Sequence, residues 1–82
     1  MILDKKTRIS REYTIAGWQM AVEISCVDSE LNLWMVGVRR YFPDTGYAYM
    51  ARKTDLPHGF ARQLYKGYCA VLLAEEDVEG NE

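Results

Sequence analysis

The chain has 82 residues and a formal net charge of −2, enough for one small domain and no more. Apolar residues make up 49% and aromatics 12%, which excludes a disordered chain. No apolar run approaches the roughly 18 residues that span a membrane, and Met1-Ile2-Leu3-Asp4-Lys5-Lys6 has no apolar stretch behind its charges, so no secretory signal is read and the cytoplasm is the expected compartment.

Residues 8–15 read as a weak strand, with Ile9, Arg11, Tyr13 and Ile15 alternating against polar neighbours. Gly17 then marks either a bulge or a hairpin turn. Trp18 to Val27 is a strand, with Trp18, Met20, Val22, Ile24 and Cys26 on one side. A turn at Asp28-Ser29-Glu30 leads into a second long strand, Leu31 to Phe42, with Trp34, Val36, Val38, Arg40 and Phe42 on one side. Pro43-Asp44-Thr45-Gly46 is a turn, and Tyr47 to Lys53 is the next strand, with Tyr47, Tyr49 and Ala51 on the inner side.

The turns predict a register. Phe42 is expected to face Tyr47, Arg40 to face Tyr49 and Val38 to face Ala51. Ile24 is expected to face Trp34, Val22 to face Val36 and Met20 to face Val38. Both pairings put the apolar stripes on one side. After Thr54-Asp55-Leu56-Pro57 the period becomes helical, with Phe60, Leu64, Gly67, Tyr68 and Val71 as the stripe and Ala61 and Leu72 flanking it. Thr54 or Asp55 is expected to cap this helix, and Gly67 to approach the sheet. The helix is expected to fray near Glu75.

The expected fold class is α+β: a three-stranded antiparallel β-meander, four-stranded if residues 8–15 join, packed against one C-terminal α-helix. Residues 1–76 form the domain and 77–82 an acidic C-terminal tail.

Chemistry is weakly represented. His58 is the single histidine and sits between Pro57 and Gly59, a turn context without a nucleophile or an orienting partner. The six glycines form no phosphate-cradling loop. Cys26 and Cys69 have no close partner residues for zinc or redox work and read as reduced thiols. No enzyme activity, cofactor or metal site is therefore expected.

The face opposite the apolar stripe carries Gln19, Glu23, Leu33, Met35, Arg39, Tyr41, Met50 and Arg52. It is too apolar for a fully solvated face, and tyrosine, methionine and arginine are enriched at interfaces. Leu33, Met35, Arg39, Tyr41, Met50 and Arg52 are accordingly the candidates for contact with another protein or a second copy of the chain. The function expected is that of a small non-enzymatic binding module: an inhibitor, adaptor or regulator, of a size also found among phage and mobile-element proteins. The alternative is a nucleic-acid-binding domain using the second hairpin, where Arg39, Arg40, Arg52 and Lys53 flank Tyr41, Tyr47 and Tyr49.

Overall fold

The computed structural model describes residues 8–77. In chain order these form β1 Arg8–Ile15, β2 Trp18–Asp28, β3 Leu33–Phe42, β4 Gly46–Pro57 and α1 His58–Glu75. The strands make one antiparallel sheet in the order β1-β2-β3-β4, and the helix returns across one face. This is the α+β meander and C-terminal helix that the sequence predicts, with residues 8–15 entering as the fourth strand. No helix among the described residues is long and apolar enough to cross a membrane.

The interruption at Gly17 is a hairpin turn. Ile15 pairs with Trp18, and Ala16 and Gly17 between them have φ of 53° and 83°. Two left-handed residues match the right-handed twist of the flanking strands. Asp77 braces this turn from the end of the helix. Its carboxylate accepts from Ala16 N at 2.8 Å and Gly17 N at 3.0 Å, and its own N–H donates to the Thr14 carbonyl at 2.8 Å. The first residue of the expected tail is thus tied to the sheet; the remainder, 78–82, lies outside the described residues.

The β2–β3 register differs from expectation by two residues. Ile24 pairs with Val36, Val22 with Val38 and Cys26 with Trp34. The cause is a longer connection with a bulge at its start. Asp28 Oδ1 accepts from Glu30 N and Leu31 N at 3.0 and 3.1 Å, and Asn32 turns the chain with φ 55°. The ladder then resumes at Asp28–Leu33, so β3 begins at Leu33 and not Leu31. A two-residue slip preserves the face of every side chain, so the apolar stripes still coincide. Asn32 also accepts from Trp34 Nε1 at 2.8 Å, which satisfies the indole of a core residue.

β4 runs on to Pro57, beyond the expected end at Lys53, because Leu56 and Pro57 still pair with Trp34 and Leu33. Thr54 and Asp55 are therefore strand residues, and Asp55 has φ 59° beside a register shift. Among the described residues no side chain caps the helix, which starts directly after Pro57. Proline suits this place because its missing N–H would have no helical partner.

The core lies between α1 and the inner face of the sheet. At one end Ile24, Cys26, Trp34 and Val36 enclose Ala61; at the other Tyr13, Val22 and Val38 meet Leu72. Tyr65 and Tyr68 pack against both groups. The buried stripe of the helix is therefore rotated about one residue from the expected one. Phe60 and Val71 are exposed, and a Cβ on Gly67 would meet nothing within 4 Å. Leu64 and Tyr68 of the expected stripe still pack against the core, joined by Tyr65 and Cys69. Both thiols are free, Cys26 buried and Cys69 half-buried.

Candidate functional site

The outer face of the sheet is opposite the helix. From β2 it carries Gln19, Ala21 and Glu23, and from β3 Leu33, Met35, Gly37, Arg39 and Tyr41. Which residues β4 adds is decided by two irregularities. The turn after Phe42 closes with Thr45 N donating to the Phe42 carbonyl at 3.1 Å, and Gly46, at φ 86°, is already paired with Phe42. The loop is one residue shorter than expected, as in a type I turn closed by a glycine bulge. Tyr47 therefore pairs with Tyr41, and Tyr49 with Arg39. A second register shift, which leaves Met50 without a partner, brings Ala51 back opposite Val38 as expected.

The consequence is a correction. Tyr47 and Tyr49 point to the outer face, not the inner one, because a one-residue change of register inverts every side chain it covers. Arg40 faces Ala48, not Tyr49. The only advance signal was Gly46, which permits the left-handed residue that the shorter loop needs.

The outer face centres on Glu23, 2% exposed although it is a carboxylate on a face without a helix. It stands opposite Gly37. The missing side chain at Gly37 makes room for the Tyr49 ring: a Cβ there would lie 2.7 Å from Tyr49 Cε1. The ring thus lies over β3 with its hydroxyl beside Glu23. Burial first, then the charge and hydrogen bonding of Glu23, push the Tyr49 hydroxyl up from its ordinary value. Arg39 supplies the counter-charge, with Nε 2.9 Å from Glu23 Oε1. The N–H is not aimed along that line, so the contact is an ion pair and not a well-formed hydrogen bond.

Around this pair the aromatic groups and cations interlock. The Arg39 guanidinium lies over the Tyr47 ring at 4.7 Å and that of Arg52 over Tyr49 at 4.9 Å. Tyr41 and Tyr47 meet edge to face with centroids 5.3 Å apart. Tyr41 and Tyr47 each remain 37% exposed, Tyr49 41% and Met50 54%. Arg39, Tyr41 and Arg52 thus belong to one patch, joined by Tyr47 and Tyr49, with the exposed bulge residue Met50 next to Tyr49 in the chain. Leu33 is half-buried and Met35 buried, so these two present little surface.

Arg40 and Lys53 are on the other face. Lys53 pairs with Val36, an inner residue. Arg40 pairs with Met20, and its guanidinium lies 3.4 Å from the Trp18 centroid and 4.7 Å from that of Phe42. His58 stacks on Trp34 with centroids 4.5 Å apart.

No protein-family model, curated protein or solved structure matches this chain.

Proposed function

We propose that this protein is a binding module that contacts another protein through the outer face of its sheet, using Tyr41, Tyr47, Tyr49, Met50, Arg39 and Arg52. The observation that carries this reading is the bulged β4 strand, which gathers three exposed tyrosine rings and two guanidinium groups on the face opposite the helix. Tyrosine supplies a large, amphipathic contact area with few rotatable bonds to freeze, and arginine and tyrosine dominate the energetics of many interfaces. The rings are also held in place before a partner arrives: Tyr49 in the Gly37 gap, Tyr47 between Tyr41 and Arg39. Preorganisation of this kind lowers the entropy cost of association.

The geometry supports nucleic-acid binding less. Of the four cations that would serve it, Arg40 and Lys53 face the opposite way, and Arg39 is neutralised by Glu23. Arg52 beside Tyr41, Tyr47 and Tyr49 makes a weak electrostatic footprint.

The test is comparative affinity capture from nuclease-treated lysate with wild type and a Tyr41→Ser/Tyr47→Ser variant of matched melting temperature. A partner held by wild type and lost, by at least about tenfold in affinity, from the variant is expected. Equal retention by both proteins rejects the patch. Oligonucleotide binding that weakens steeply with salt favours nucleic acid instead.

A further inference from the structure

A second feature lies on the opposite side of the molecule and does not depend on the tyrosine patch. The buried stripe of α1 packs on β2 and β3, so the inner face of β1 is only partly covered. A groove of about 580 Å³ runs between β1 and the helix. That volume falls within the range of small-molecule sites.

Its lining is divided by chemistry. Ile9, Ile24, Trp34 and Leu73 make an apolar surface, and Ile9 and Leu73 at its margins are left exposed. Arg11 comes from β1, and Arg62 and Lys66 come from one face of the helix at i, i+4 spacing. Cations thus stand on both walls, and among the described residues no carboxylate lines the groove, in a chain whose overall charge is −2. In the lining, the Tyr65 hydroxyl is buried and lies beside the Cys69 thiol and Arg11, without a well-formed hydrogen bond among the described residues. A buried hydroxyl in this condition has hydrogen-bonding capacity left for a ligand.

We propose that this groove binds an amphipathic anion, a mid-chain alkyl carboxylate, with the chain along Ile9, Ile24, Trp34 and Leu73 and the head group between Arg11 and the Arg62–Lys66 pair. The apolar body gains by leaving water, and the guanidinium groups give the carboxylate charge-assisted hydrogen bonds. Neither part alone accounts for both halves of the lining.

The experiment titrates laurate, below its micelle concentration, into the full chain and follows backbone amide NMR shifts. Saturable shifts confined to residues 9–13 and 58–73 and to Ile24 and Trp34 with their neighbours are expected. Dodecanol, which has the same chain and no charge, should bind at least about tenfold more weakly, as should laurate to an Arg62→Ala/Lys66→Ala variant. Both positions are exposed, so the fold survives their truncation. Ala70→Trp, an exposed helix position on the groove wall, should fill the site and abolish the shifts. Equal binding of dodecanol and laurate, shifts centred on the tyrosine patch, or no saturation would overturn the proposal. So would a dimer that Ala70→Trp dissociates, since the groove would then belong to a second copy.

Discussion

Glu23 shows how one residue organises a surface. An ionised carboxylate that is 2% exposed is costly unless paired, and here Arg39 and the Tyr49 hydroxyl are its partners. Each partner depends on a backbone feature: Tyr49 on the absent Cβ of Gly37, Arg39 on its place opposite Tyr49. Removing Arg39 leaves the carboxylate buried without a counter-charge. Arg39→Ala is expected to destabilise the fold by about 2 kcal/mol, less than for a fully buried pair because the Arg39 side chain keeps 20% exposure. Urea denaturation measures this, and the same substitution in a Glu23→Gln background should cost markedly less. A change below about 0.5 kcal/mol in the wild-type background, the usual range for a neutral surface site, would show that the pair does not hold the face together.

At the scale of elements, the helix is the clearest case of a pattern read one step out of phase. Leu64 and Tyr68 of the expected stripe pack against the sheet, but Phe60 and Val71 are exposed and Gly67 meets nothing, while the flanking Ala61 and Leu72 are buried and Tyr65 and Cys69 join them. A helix with apolar residues on more than one stripe does not specify its own rotation; the shape of the sheet beneath it does. Gly67 is therefore an exposed glycine within a helix, without a packing role among the described residues. Gly67→Ala is expected to raise stability by up to about 1 kcal/mol, the difference in helix propensity. The matching thermal shift is a melting temperature a few degrees higher. A lower melting temperature would mean that the backbone at this position needs glycine.

The strands show the same limit. Alternation placed β2 and β3 on the correct face even though their register was two residues out, because a shift of two is invisible to a period of two. In β4 a shift of one residue near the turn, undone at Met50, put Tyr47 and Tyr49 on the side the alternation denied them. Arg39, Tyr41 and Arg52 were legible in the sequence as members of the candidate patch, as was Met50 at its edge. The two tyrosines that join it were not, since a bulge leaves no mark in a short polar-aromatic strand beyond a glycine at the turn.

At the scale of the whole molecule, the two core regions are linked through Tyr65 and Tyr68, and Tyr13 sits where β1 meets the helix. Burial first, and then the adjoining Cys69 thiol, push the Tyr13 hydroxyl up from 10.0 to about 12. Arg11 acts in the opposite direction, and Tyr65, itself raised mainly by burial, adds to the upward shift. A group whose folded value lies above its unfolded one binds its proton more tightly in the native state. Its contribution is complete below about pH 10 and is lost as pH rises toward about 12. Denaturant unfolding followed from pH 8 upward should therefore show stability falling across that alkaline interval, with a shallower slope in Tyr13→Phe. An unchanged slope in the variant would place the alkaline sensitivity elsewhere.

The sequence by itself determined the kinds of element from Trp18 onward, their order and the inner stripe from Met20 to Cys26 against Trp34 to Val38, and left open whether residues 8–15 join the sheet. Side-chain period is a local property of the backbone, so alternation and helical spacing can be read without knowing what they pack against. The tertiary structure alone decided how the helix is turned, that Asp77 closes on the β1–β2 hairpin, and which way Tyr47 and Tyr49 face. Those outcomes hinge on single-residue shifts that change no local pattern, and only the fit between sheet, helix and turn separates one from another.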